Sequence, residues 1–239
     1  MNRLAMMVLR NIAKVPSAYM KLRRHAKDPD RFPDEERWEH IRYMLRCAVE
    51  AGNVNVEVYG TENLPQEGSF LMCGNHQGLF DVFAIVISCP LPLSVVFKKE
   101  LNSYPLLREI VLSTKSFSMD REDVRQSMQV IHDVTDALLA GRRCVIFPEG
   151  TRSKRGNEML PFHGGSFRCA VKAKCPVVPI AFVDSYKVLD QKGTSPVTMQ
   201  MHYLPPIPPE EYEGMNAKQL AALTQERIAR KIRACTVGE

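Results

Sequence analysis

The stretch SFLMCGNHQGLFDVFAIVIS, residues 69–88, changes pattern twice. Its first five residues make a short apolar run of the length and texture of a buried strand. DVFAIVIS, beginning at Asp81, is apolar on every side, as a helix inside a core is. Between them Gly74 and Gly78 flank His76, and Gly78 can take the positive φ that a sharp turn requires. Strand, tight turn and buried helix form the repeating unit of an α/β protein.

The alternation continues outward from this unit. VNVEVYG (54–60) alternates in the manner of a strand and opens the main region. Downstream, LSVVFK, SFSM, RCVIF, PVVPIAF and VTMQMHYLP read as strands. YPLLREIVLS, REDVRQSMQVIHDVTDALLAG and GSFRCAVKAK read as the helices between them. The rhythm predicts an α/β fold with a mostly parallel central sheet flanked by helices. PPIPPEEY reads as a linker to a terminal amphipathic helix, NAKQLAALTQERIARKIRA. The expected organisation is an amphipathic segment of two helices over 1–52, the α/β domain over 53–209, and a C-terminal helix packed on that domain within 210–239.

Composition narrows the class. Of 239 residues, 45% are hydrophobic, which argues for a packed core and against disorder. Lys and Arg total 32 against 27 Asp and Glu; the resulting +5 fits an anionic surface or substrate. The seven cysteines form no C-x-x-C pair, which favours reduced thiols over a disulfide framework or a zinc site. At the N-terminus the apolar run Leu4–Leu9 is too short to cross a bilayer. Leu4, Met7, Val8, Ile12 and Val15 nevertheless recur at helical spacing among Arg3, Arg10, Lys14, Lys21, Arg23 and Arg24. Such a segment suits either the headgroup region of an anionic membrane or packing on its own domain.

His76 and Asp81 would stand about 140° apart on a continuous helix, too far round to cooperate. With the turn at Gly78 they can meet, placing His76 at the carboxyl end of a strand, where open α/β sheets bind ligands. Asp81 could then hold one ring nitrogen and leave the other to take a proton. A His and an Asp at this spacing also arise by chance, so the pair alone decides little. There is no H-E-x-x-H, no G-x-S-x-G and no G-x-x-x-x-G-K-[ST], against a metalloprotease, an α/β-hydrolase and a P-loop enzyme. A second strand end carries FPEGTRS, which brings Glu149, Gly150, Thr151 and Arg152 to the same kind of position. A guanidinium there suits bidentate contact with a phosphate.

Together, NHQGLFD and FPEGTRS resemble the NHxxxxD and FPEGTRS signatures of the glycerolipid acyltransferases, the 1-acylglycerol-3-phosphate O-acyltransferases and their relatives. FKKELNSYPLLREIVLSTKSFSMDR is similar to the segment between those signatures, with Lys98, Glu100, Leu101, Pro105 and Arg121 at matching places. PFHGGSFRCAVKAKCPVVPIAF resembles the elements that follow. Four blocks in order, from Val54 to Tyr203, make the resemblance specific. Arg108 and Lys115 stand where the family often has glycine, which bears on substrate choice.

The resemblance implies transfer of a fatty acyl group from an acyl thioester to the hydroxyl of a lysophosphatidic acid, giving phosphatidic acid. His76 would be the general base and Asp81 its orienting carboxylate. Arg152 with Glu149, Gly150 and Thr151, and Lys98 and Arg121 by family position, would bind substrate. It implies no metal, no cofactor and no nucleic acid; acyl-coenzyme A or acyl-acyl carrier protein would be a co-substrate. Residues 1–52 look like the two-helix segment by which some bacterial relatives sit on the membrane, here on its cytoplasmic face. The rival readings are another lysophospholipid or glycerol 3-phosphate as acceptor, or a lipid-binding protein without catalysis.

Overall fold

The computed structural model describes residues 2–236, so Met1 and 237–239 of the two expected terminal segments lie outside the described residues. Among the described residues there are seven strands: β1 (Val54–Tyr59), β2 (Leu71–Gly74), β3 (Ser94–Lys98), β4 (Phe117–Met119), β5 (Cys144–Ile146), β6 (Val177–Val183) and β7 (Val197–Tyr203). They form one sheet in the order β1-β7-β6-β2-β5-β3-β4. From β6 to β4 every neighbouring pair is parallel. β7 runs antiparallel to β6, and β1 runs parallel to β7. The mostly parallel sheet expected from the alternation is therefore present, with one reversed edge.

Helices cover both faces, which is why the central strands carry near-continuous apolar runs. Met72, Val145, Val178, Ile180 and Phe182 face one core, and Leu71, Cys73, Cys144, Ile146 and Val177 the other. The first core is covered by α1 (Arg3–Arg10), α2 (Val15–Lys27), α3 (Asp34–Ala51) and α4 (Phe80–Ser88), with α5 (Pro105–Ser113) at its margin. The second is covered by α6 (Val124–Leu139), α7 (Arg168–Ala173) and α9 (Ala217–Thr236). A one-turn helix, α8 (Tyr186–Leu189), follows β6 and has no counterpart in the sequence reading. All seven cysteines are free. Burial pushes the thiols of Cys73, Cys144, Cys169 and Cys175 upward, as expected of inert core residues.

Local chemistry explains two departures from the expected boundaries. The helix expected from Arg121 begins at Val124, because the Asp123 carboxylate caps it, accepting from Arg125 N at 2.9 Å and Gln126 N at 3.1 Å. The two expected N-terminal helices are three. Pro16 cannot sit in a helix interior and occupies the first turn of α2 instead. The chain breaks at Asn11, whose side chain donates to Met7 O at 2.9 Å and to Cys47 O on α3 at 3.0 Å.

These helices share the first core with the sheet: Met7, Leu22, Trp38 and Ile41 are all buried in it. Arg3 is buried too, donating to Val188 O at 2.9 Å, Gly52 O at 2.6 Å and Ser195 O at 2.8 Å. Of the residues that carry the amphipathic pattern, Arg3 and Met7 thus pack on the domain. Leu4, Val8, Leu9, Ile12, Val15 and Met20 remain exposed.

Because α2 has no core of its own, it should unfold with the sheet. Leu22→Ala should cost about 2–5 kcal/mol, as large-to-small changes in packed cores do. Emission from Trp38, the single tryptophan, and far-ultraviolet dichroism should report one coincident urea transition. A separate early transition on the helical signal would show that the N-terminal helices are an independent unit.

Candidate active site

β2 ends at Gly74, and the next residues cross the carboxyl end of the sheet before α4 begins. Asp81 lies in the first turn of α4 and is fully buried. Its side chain turns back toward the loop. Oδ2 accepts from His76 Nδ1 at 2.7 Å, Gln77 N at 2.8 Å and Gly78 N at 3.0 Å. Oδ1 accepts from the Ser185 hydroxyl. A buried carboxylate is tolerated only when its lone pairs are matched in this way. One group thus shapes the turn and orients the imidazole.

The His76 ring stacks on Phe147, centroids 4.3 Å apart, and its side chain is 15% exposed. With Nδ1 committed to Asp81, the tautomer that leaves Nε2 unprotonated is favoured. Nε2 makes no hydrogen bond to the described residues and is open to a ligand.

The loop is clamped from below. Asn75 pairs with the backbone of Phe182, donating to its O at 3.0 Å and accepting from its N at 2.8 Å. Gln77 donates to Phe182 O at 2.9 Å and to Asn157 Oδ1 at 2.8 Å, and accepts from Ser185 N at 2.9 Å. Gly78 does not take the positive φ expected of it; close approach sets its place instead, since a Cβ there would come within 2.5 Å of Asp190 Oδ2 and 3.3 Å of Tyr186 Cα.

β5 delivers the second stretch beside the first, since β2 and β5 are neighbours. Glu149 is buried at 2% exposure. Oε1 accepts from His76 N at 2.8 Å and Oε2 from Leu160 N at 2.9 Å. Burial raises its proton affinity, and these backbone donors oppose the rise. Ser153 N donates to His76 O at 2.8 Å, so the two loops are stitched in both directions. Both Glu149 oxygens hold backbone N–H groups, while Arg152 pairs with Asp190. Gly150 takes φ +70°, a left-handed turn that sets the loop against His163. Thr151 is exposed beside it.

Arg152 is 34% exposed and pairs through Nη1 with Asp190 Oδ1 at 2.6 Å. That leaves the rest of its donor fork for an anion. Lys98 and Arg121 are on the same rim but further across it. Lys98 ends β3, two strands from β2, and Arg121 follows β4, three strands away. At the usual strand spacing these are ~10 Å and ~14 Å across the sheet. Lys98 is exposed and pairs with Glu100 at 3.0 Å. Arg121 is partly buried and makes no hydrogen bond to the described residues; burial lowers its pKa. The structure brings together His76, Asp81 and the 149–152 loop, and does not bring Lys98 or Arg121 into contact with them. No cluster of His, Cys, Asp and Glu suited to a metal occurs among the described residues.

Residues 55–183 match the family described as Acyltransferase. The chain is 30% identical over 192 residues to 1-acyl-sn-glycerol-3-phosphate acyltransferase alpha of Mus musculus, covering 79% of this chain and 66% of that protein. It is 31% identical over 151 residues to the 1-acyl-sn-glycerol-3-phosphate acyltransferase of Helicobacter pylori, covering 63% of this chain and 62% of that one. The chain thus spans somewhat under two thirds of the length of these curated relatives. Its fold is similar to the crystal structure of the lysophosphatidic acid acyltransferase PlsC from Thermotoga maritima. The TM-score is 0.73 at 22% identity, over 83% of this chain and 79% of that one. The chain belongs to the acyltransferase family.

Glu149→Gln tests the clamp. An amide can accept from only one of the two backbone N–H groups and turns its own donors on the other. It should therefore cost about 1–3 kcal/mol of stability, the worth of a buried donor left unpaired. It should also lower turnover by displacing His76. Unchanged stability in a denaturant titration would mean the two backbone groups find other partners.

Proposed function

We propose that the chain transfers a fatty acyl group from an acyl thioester to the free hydroxyl of 1-acyl-sn-glycerol 3-phosphate. The observation that carries this is the oriented imidazole, Nδ1 held by buried Asp81 and Nε2 open, on the loop stitched to the one that carries Arg152. An alcohol attacks a thioester poorly until its proton is removed as the bond forms. His76 Nε2 takes that proton while the acceptor oxygen bonds to the thioester carbon. Asp81 stabilises the imidazolium without itself being protonated. The tetrahedral intermediate collapses by breaking the carbon–sulfur bond, and the imidazolium returns its proton to the leaving thiolate. The products are a free thiol and phosphatidic acid. The acceptor phosphate is dianionic or nearly so at neutral pH and falls to Arg152, whose planar fork matches it. Lys98 and Arg121, further along the rim, suit the phosphates of a coenzyme A or carrier-protein thioester.

Both substrates are amphiphiles, so we place the protein on an anionic membrane surface, on its cytoplasmic face, where free thiols persist. No helix among the described residues is long and apolar enough to cross a bilayer. The exposed apolar row Leu4, Val8, Leu9, Ile12, Val15 and Met20, with Arg23 and Arg24 exposed on α2, suits docking in the headgroup region.

An acceptor panel with a radiolabelled acyl thioester tests the activity. His76→Ala should lower kcat about 100- to 10,000-fold with the fold intact, and Asp81→Asn should lose less. Arg152→Lys should raise KM about tenfold for lysophosphatidic acid and leave monoacylglycerol unaffected, since only the bidentate phosphate contact is lost. Near-normal transfer by His76→Ala would remove the base. Preference for glycerol 3-phosphate or another lysolipid would change the acceptor.

Docking is tested by substitution and not by truncation, because deleting α1 and α2 would strip Met7 and Leu22 from the core. The Leu4→Glu, Val8→Glu, Ile12→Glu triple variant should lose flotation with anionic liposomes. Its transfer to a short-chain soluble acceptor should persist. Flotation equal to that of the parent would place the membrane contact elsewhere.

A further inference from the structure

The family match ends at residue 183, yet the next seven residues touch both halves of the site. Ser185, just before α8, donates to Asp81 Oδ1, 104 residues away. Its backbone N also donates to Gln77 Oε1 at 2.9 Å. Asp190, which caps the other end of α8, accepts from Leu79 N at 3.2 Å through Oδ2 and from Arg152 Nη1 at 2.6 Å through Oδ1. A single helical turn therefore fixes the orienting carboxylate of the base at one end and the guanidinium of the anion clamp at the other. Asp190 is 30% exposed, so its charge is only partly screened by water where it meets Arg152. The middle of the turn is not free either. Val188 is fully buried, and its carbonyl accepts from Arg3 Nε of α1 at 2.9 Å.

We propose that the segment Ser185–Asp190 positions the acceptor, with Ser185 setting the base through Asp81, Asp190 aiming Arg152 at the acceptor phosphate, and Arg3 fixing the segment to the N-terminal helix. Arg152 sits on a loop whose Thr151 is exposed and whose Gly150 is left-handed, and a long side chain there has many rotamers. Asp190 engages Nη1, and Nε and Nη2 make no hydrogen bond to the described residues. The carboxylate also repels an anion that approaches from its own side, which restricts the acceptor phosphate to the opposite face of the guanidinium. Arg3 links this arrangement to the helix that bears Leu4, Val8 and Leu9 of the exposed apolar row. The geometry of the clamp thereby depends on the seating of α1.

This proposal rests on transfer to a phosphorylated acceptor, and its test separates the two. Asp190→Asn keeps size and the Leu79 contact but removes the charge. It should raise KM for short-chain lysophosphatidic acid about tenfold, with kcat changed less, and leave KM for monoacylglycerol unchanged. In an Arg152→Lys background it should add little further, as coupled residues do. Ser185→Ala should do the reverse, lowering kcat about tenfold or more for both acceptors with KM held, the worth of a hydrogen bond to a buried charge. Ser185→Thr, which keeps the hydroxyl, should restore part of that loss.

Arg3→Gln should reproduce the Asp190→Asn rise in KM on the soluble acceptor, with no membrane present. Calorimetric binding of short-chain lysophosphatidic acid without donor reads the clamp whether or not the chain turns over, and should weaken by the same factor in Asp190→Asn. Thermal melts accompany each variant. Equal losses on phosphorylated and unphosphorylated acceptors that track a lowered melting temperature would make the segment plain scaffold and overturn the proposal. An Arg3→Gln variant with parental KM would overturn the link to α1. A parent that binds the phosphorylated acceptor but transfers no acyl group would defeat the proposed activity and leave the clamp standing.

Discussion

The Asp81 carboxylate is the constraint from which the site follows. It is fully buried at the start of α4, a position that is tenable only with donors on both oxygens. The chain supplies His76 Nδ1, the Gln77 and Gly78 backbone N–H groups, and the Ser185 hydroxyl. Satisfying that carboxylate closes the turn after β2, sets the imidazole tautomer and draws the end of β6 against the loop. The stability of the turn and the orientation of the imidazole have one origin. A carboxylate that only oriented a ring would not need two backbone donors. One that only shaped a turn would not need the ring.

Glu149 repeats the device on the neighbouring strand. Each of its oxygens takes one backbone N–H, from His76 and from Leu160, so the second loop is held to the first by a buried acid. The adjacency of β2 and β5 makes this possible, because it brings two strand ends that are far apart in sequence side by side. In a parallel sheet the carboxyl ends of such strands share one rim, which is where a base and an anion clamp can face a single substrate.

Much of the fold was legible from pattern. Short apolar runs such as LMC, bounded by helical stretches, give a parallel sheet because both faces must be covered. The reversed edge at β7 was not legible, since VTMQMHY carries no mark of its direction. The break between α1 and α2 was available in Pro16, but the charged spacing on either side reads as one amphipathic run. Spacing and the turn at Gly78 pointed to His76 and Asp81, and strand-end position pointed to Arg152. What spacing could not show was where the donors come from. Ser185 lies 104 residues from Asp81, and Asp190 lies 111 from Leu79 and 38 from Arg152, in a stretch with no periodicity of its own. The acid of FPEGTRS likewise reads as a surface ligand until the fold buries it.

In the proposed reaction the oriented imidazole of His76 activates the acceptor hydroxyl itself, and no acyl group passes through the protein. No serine or cysteine makes a hydrogen bond to His76 Nε2 among the described residues. Initial rates measured across a grid of acyl thioester and lysophosphatidic acid concentrations test this most directly, combined with intact mass after incubation with the thioester alone. Direct transfer gives intersecting double-reciprocal lines and an unmodified protein mass. Parallel lines, together with a mass increased by one acyl group, would contradict it.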